Sequence, residues 1–219
     1  MEKDALIKIL YQDDDIIVCI KPAGVISEDG GMPEKLRAQL ALKEIYCVHR
    51  LDKNVSGIMV YAAAKASAAA LSASFANGKA IKKYLAVVEG MPESESGTLK
   101  DLLFHDRARN KTFVVKSMRK GVKEALLDYS VRAAGEYNGK RVSLVDIRLH
   151  SGRSHQIRVQ FASRKMPLAG DAAYGSSIKT KNIALISYAL EFEHPQKEER
   201  MAFSISPPDE APWNIFKEY

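Results

Sequence analysis

Two alternating runs constrain this chain more than anything else in it. Leu127, Tyr129 and Val131 are separated by polar partners, and Val142 to Leu149 repeats the pattern. Alternation of this kind marks strands with one face buried and one wet. Glu136 to Gly139 lies between them as the turn, so the pair predicts an antiparallel hairpin. Strand patterns recur on both sides of it. Ile7 to Tyr11 and Ile16 to Ile20 flank the turn Asp13-Asp14-Asp15, Gly78 to Gly90 reads as a basic turn feeding a buried strand, and Ala184 to Phe192 and Met201 to Ile205 are the last two. Helical signals are few. Pro33 opens one helix running to about Lys43, Ala66 to Asn77 makes a second that Gly78 stops, and Ser154 is expected to cap a third reaching about Arg164. The expectation is a single α+β domain over residues 1–219, built on a mostly antiparallel sheet with a central cleft.

Charge narrows the partner. The net charge is +6, and the region from His105 to Lys123 carries seven Lys or Arg against one acid, Asp106. Such a cluster is either a plain solvated surface or a phosphate-contact surface, which needs cations but no particular sequence. Cys19 and Cys47 have no CxxC spacing, so a zinc or redox motif is excluded and a reduced, cytoplasmic protein is expected. Met1 to Asp4 shows no apolar signal core, and the run from Ile58 to Ala80, cut by Lys65, Asn77 and Lys79, is too polar for a membrane span.

The segment His49-Arg50-Leu51-Asp52-Lys53-Asn54-Val55-Ser56-Gly57 puts an imidazole, a guanidinium and one carboxylate in a loop between apolar stretches, with Ser56-Gly57 read as a turn before the strand Ile58 to Tyr61. Asp52 has cations on either side and no second carboxylate, which favours its charged form and suits a nucleophile or an ion-pair member. The plain alternative is a turn aspartate capping its own backbone. Ser151 to Arg158 is the other polar cluster. In it His155 and Arg158 are expected on one helix face, away from Ile157 and Phe161, with Arg153 at the helix N-terminus where phosphate can be met.

Other chemistries lack their residues. His150 and His155 straddle a strand-to-helix break, and no third ligand accompanies His49 and Asp52, so no metal is expected. Gly24, Gly30 and Gly31 form no phosphate-loop motif, and GxSxG is absent, so no nucleotide cofactor and no serine nucleophile is expected. The three aspartates 13–15 read as a solvated turn.

The nine residues from His49 closely resemble the HRLDxxTSG signature of the RluA-type pseudouridine synthases. Three further segments fall in that family's order: Lys21-Pro22-Ala23-Gly24 is similar to its KPxG turn, and Lys82 to Gly90 to its KxYxAxVxG strand. Ser151 to Val159 followed by Pro167 to Gly175 is similar to GRTHQIRVH and HPxxGDxxYG. The resemblance spans about Ile7 to Ile205. It implies the pseudouridine synthase α+β fold and an isomerase that converts uridines of ribosomal or transfer RNA, with no cofactor; because the first strand begins within ten residues of Met1, no S4-type domain is expected ahead of the catalytic part. Residue by residue it implies Asp52 as the catalytic aspartate, Tyr84 as the active-site tyrosine and Arg158 as the partner of the aspartate. Arg50 fills the gap left by the extruded base, Leu185 lies against the target base, and His49, Arg153, His155 and Gln156 are substrate-side residues. A monomer is expected. The chain departs from the family pattern at Val55, Ser154, Gln160 and Ile186-Ser187, and the last two sites are expected at the rim of the active site. Two rivals stand beside this reading: an RNA-binding protein without activity, and an N-glycosidase or metal-dependent hydrolase.

Overall fold

The computed structural model describes residues 6–216; residues 1–5, which include the segment read above for a signal core, lie outside the described residues. The elements in chain order are β1 (Lys8–Gln12), β2 (Ile16–Lys21), α1 (Met32–Leu40), β3 (Tyr46–Cys47), β4 (Ser56–Ala62) and α2 (Lys65–Ala76). They continue with β5 (Ile81–Glu89), β6 (Ser96–Asp106), β7 (Lys111–Val115), β8 (Val122–Tyr137), β9 (Lys140–Leu149), α3 (Gln156–Ala162), β10 (Leu185–Glu193) and β11 (Arg200–Ser204). The chain divides into two compact units, Met1–Ile81 with Ser187–Ile205, and Lys82–Ile186 with Ser206–Tyr219. Among the described residues no helix is long and apolar enough to cross a membrane.

In the first unit β2 pairs antiparallel with both β1 and β4. Ile16, Ile17, Val18 and Cys19 are all shut off from water, as are Ile58 to Ala62, so these strands are covered on both faces. That is why their apolar residues run on without alternation. Ile16, Val18, Ile58 and Val60 pack with Leu71 of α2 and with Leu190 and Phe192 of β10. Each such side chain contributes about 1.5–3 kcal/mol on burial. The aspartate turn behaves as a turn: Asp13 Oδ1 accepts from the N–H groups of Asp15 and Ile16 at 3.0 and 2.9 Å.

The second unit carries β5, β9, β8, β6 and β7, paired antiparallel in that order. β8 and β9 meet through Asn138 and Gly139, both at positive φ (51° and 72°), the backbone a two-residue hairpin needs. β6 has no counterpart in the expectations. Of its eleven residues only Leu99 and Leu103 are buried, so its sequence carries no period-two signal.

Two expectations change. Ser56 and Gly57 belong to β4, with Gly57 opposite Lys21, and form no turn. Gly57 sits at φ 134°, and a Cβ there would collide with the backbone of Ser187 on β10. Glycine is demanded by a strand passing close by. The third helix is shorter than expected and Ser154 does not cap it. Its first-turn boundary is His155 in the left-handed conformation (φ 52°), and every residue from Gln156 to Phe161 is buried. Arg158 therefore shares the covered surroundings of Ile157 and Phe161, and no wet face separates them.

Candidate functional site

In the first unit the loop around Asp52 is fixed by its backbone. Ser27 Oγ donates to Leu51 O at 2.9 Å and accepts from Leu51 N–H at 3.0 Å. On the other side of Asp52, Lys53 O accepts from Gly24 N–H at 2.8 Å and from Lys21 Nζ at 3.1 Å. Val55 N–H donates to Asp52 O at 3.0 Å, closing the turn. The carboxylate is thus carried on a mount tied down at both neighbours.

Lys21 is the unexpected member. It is fully buried at the end of β2, and its ammonium also donates to the carbonyls of Pro22 and Val25 at 2.9 and 2.6 Å. Burial pushes this ammonium down to about 8, with the Asp52 carboxylate acting in the opposite direction. The two charges therefore feel each other. The sequence presented Lys21 only as part of a turn; a lone cation closing a buried apolar strand was the available signal.

His49 and Arg50 are placed differently from one another. His49 stacks on Phe75 with ring centroids 4.4 Å apart, and its Nε2 accepts from Val60 N–H at 3.1 Å. The imidazole holds the loop to β4 and α2. Arg50 is largely exposed and pairs with Glu28 at 2.8 Å. Cys47, whose thiol donates to His49 O at 3.0 Å, is pushed up to about 11 by burial and by Glu28, which makes it a poor nucleophile.

In the second unit Tyr84 lies on β5 opposite Ile147 and is 5% exposed. Near it on the strand, burial and then the charge of Arg153 hold the Lys82 ammonium below its usual value. Arg153 itself donates from Nε to Glu124 O at 2.9 Å. Gln156 spends its amide inside the protein: Oε1 accepts from Ser151 Oγ at 2.9 Å and from Arg153 N–H at 3.1 Å, and Nε2 donates to Leu126 O at 3.1 Å. Leu185, at the start of β10, is buried.

Arg158 has a partner the sequence did not supply. Its Nε and Nη2 donate to the two oxygens of Asp171 at 2.6 and 2.9 Å, and both side chains are buried, at 7% and 1% exposure. Its guanidinium carbon also lies 4.9 Å from the centre of the Tyr174 ring. Asp171 and Tyr174 both belong to the segment likened to GDxxYG, where neither carried a role.

The departures expected at a rim are interior. Gln160 is fully buried and donates to Leu99 O and Asp101 Oδ2, while its Oε1 has no hydrogen-bond partner. Ser187 donates to Ile58 O at 3.3 Å. Both hold strands in place. For a metal, the grouping found among the described residues is Asp13, Asp15 and His194. Within it Asp13 Oδ2 already accepts from Lys197 Nζ at 2.7 Å and lies 2.9 Å from His194 Nε2, so these groups are engaged with one another.

Residues 15–163 match the family model described as RNA pseudouridylate synthase. A protein of Xanthomonas campestris named ribosomal large subunit pseudouridine synthase D is 31% identical over 233 residues, covering 95% of this chain and 68% of the relative. A Pasteurella multocida protein named dual-specificity RNA pseudouridine synthase RluA is 31% identical over 215 residues, covering 93% of this chain and 94% of the relative. The solved structure of human RNA pseudouridylate synthase domain containing 1 superposes with a TM-score of 0.81 at 25% identity, over 95% of this chain and 87% of that one.

Proposed function

The chain belongs to the RNA pseudouridylate synthase family, and on that premise we propose that it isomerises uridines of ribosomal RNA with Asp52 as the catalytic carboxylate. It is an RNA pseudouridine synthase of the RluA type, an isomerase on the α+β fold of that family. The ribosomal substrate is supported by the relative named for the large subunit. Transfer RNA is a second substrate class, supported by the relative named for dual specificity.

The observation that carries the role of Asp52 is its mount. A single carboxylate whose neighbours Leu51 and Lys53 are both tied to buried groups, Ser27 and Lys21, is held ready at small reorganisation cost. The reaction breaks N1–C1′, turns the uracil and joins C5 to C1′; overall the C5 proton is lost and N1 gains one. An ionised aspartate can enter by attack at C1′, by attack at C6, or by deprotonation leading to a glycal. The base must first leave its stack, at a cost of a few kcal/mol. Phosphate contacts from the basic residues between His105 and Lys123 offset that cost, and Arg50, exposed on the same loop as Asp52, takes the vacated place. Tyr84 stacks on the uracil, Leu185 lies against it, and Arg158 aims the carboxylate. His49 keeps the loop, and Arg153 and His155 face the RNA.

The deciding experiment maps pseudouridine in total RNA from a strain lacking the gene, complemented with wild type and with Asp52→Asn. Wild type should restore specific sites, and Asp52→Asn should bind RNA with near-normal affinity and restore none. Turnover retained by Asp52→Asn would reject the assignment.

A further inference from the structure

Tyr174 touches two parts of the second unit that have so far been treated separately. Its hydroxyl accepts from Thr112 N–H at 2.8 Å, reaches Thr112 O at 3.2 Å, and lies 3.0 Å from Nδ1 of His155. Thr112 is on β7, inside the basic hairpin, and is almost fully buried; its own hydroxyl donates to Ser154 O at 2.8 Å and sits 3.0 Å from Nδ1 of His105. The ring of Tyr174 meanwhile lies 4.9 Å from the Arg158 guanidinium and 5.3 Å from Lys111 Nζ. Burial pushes the phenol above its ordinary value, so the hydroxyl stays protonated and acts as a hydrogen-bonding group and not as a base. One side chain therefore bonds the middle of the cationic hairpin through its oxygen and stacks on the buried arginine through its ring.

We propose that Tyr174 is a positioning residue with two jobs: its hydroxyl fixes β7 and with it the basic hairpin, while its ring fixes Arg158, so that grip on RNA and the setting of Arg158 are coupled. The inference rests on the proposed reading of the hairpin as the RNA contact and of Arg158 as the residue that aims Asp52. Separate atoms carry the two jobs, so separate substitutions divide them. Tyr174→Phe deletes the hydroxyl bonds and keeps the ring over Arg158; Tyr174→Leu deletes both.

The test measures steady-state pseudouridine formation on in vitro-transcribed ribosomal RNA, with melting temperature as a fold control. Tyr174→Phe should raise KM about tenfold, the size expected for losing well-made hydrogen bonds, with a smaller fall in kcat. Tyr174→Leu should raise KM as much and lower kcat by about a further tenfold as the cation–π interaction goes. Adding Tyr174→Phe to Lys116→Gln/Lys120→Gln should raise KM by clearly less than it does in wild type, because the hairpin's grip is already weakened. If Tyr174→Leu melts below the assay temperature, Tyr174→Met replaces it: it removes both the hydroxyl bonds and the ring over Arg158 while keeping more of the side-chain volume, and should raise KM as Tyr174→Phe does and lower kcat further. Unchanged KM, a common proportional change of KM and kcat in all variants, or KM effects that multiply in the combined variant would overturn the inference while leaving the enzyme assignment intact. Turnover by Asp52→Asn would instead overturn the parent reading, and this one with it.

Discussion

Arg158 and Asp171 form a two-bond fork, 2.6 and 2.9 Å, between side chains that are nearly shut off from water. A pair of this kind is costly to break and less costly to delete, because a lone survivor is a buried charge without its counterpart. Asp171→Asn and Arg158→Met should each destabilise the fold by about 3–5 kcal/mol. Arg158→Met with Asp171→Leu together should cost clearly less than the sum. Denaturant unfolding of the four proteins measures this directly, and strict additivity would mean that the fork contributes nothing as a pair.

Lys21 gives a pH prediction. Its folded value of about 8 lies below the ordinary lysine value of about 10.4. Between those two values the unfolded chain binds more protons than the folded one, so this group makes stability rise with pH across that window. Lys21→Met strands the carbonyls of Pro22, Val25 and Lys53 and should cost about 2–4 kcal/mol near pH 7. The gap between wild type and variant should widen from pH 8 to 10. A gap that narrows would show that the buried ammonium is stabilised by the fold.

Asp13 gives the same sign of pH slope from the opposite cause, because here the fold favours the charged form. Burial acts to raise its carboxyl, but the Lys197 ammonium, the N–H groups of Ile16 and Asp15 and the Tyr11 hydroxyl together hold it well below the usual carboxylate range. Its stabilisation is therefore present above about pH 3.9 and lost as pH falls through the depressed value. Asp13→Asn should lower stability by about 1–3 kcal/mol at pH 7. In acid unfolding curves the two proteins should converge below about pH 3.9, and a constant offset would count against the carboxylate's charge as the cause.

The hairpin prediction concerns salt. Lys116 and Lys120 are exposed. Reversing both charges should raise KM and flatten the dependence of log KM on log salt by about 0.7–0.9 for each phosphate left without its cation. Equal slopes would return this stretch to ordinary solvated surface.

Strands and helices with a periodic or uninterrupted apolar pattern were legible in the sequence, and β2, β4, β5, β9 and α2 fall where that pattern puts them. β6 was not, because burial of Leu99 and Leu103 alone leaves no period to read. The loop around Asp52 stood out through its resemblance to the HRLDxxTSG signature, because on its own residues the aspartate reads as an ordinary turn residue. The loop's supports were not legible: the bonds from Ser27 and Lys21 to the loop span 24 and 32 residues, and no local pattern announces a partner that far away. Asp171 lies 13 residues from Arg158, across the end of a helix, and reads in sequence as one more turn acid. The expected wet face of the third helix failed for a related reason. A seven-residue helix with its first six residues buried can hold an arginine because a buried carboxylate, Asp171, neutralises it.

Gly57 closes the signature that begins at His49, yet beside its own φ of 134° the second reason it must be glycine lies about 130 positions later, where the backbone of Ser187 passes too close for a Cβ. The nine-residue segment is consequently not portable. Grafted into another scaffold it would keep its imidazole, guanidinium and carboxylate but lose the neighbouring strand that helps dictate its last residue. Because φ 134° also disfavours any side chain, displacing β10 alone should not let position 57 accept one, and a tolerance scan at 57 should return glycine in either setting.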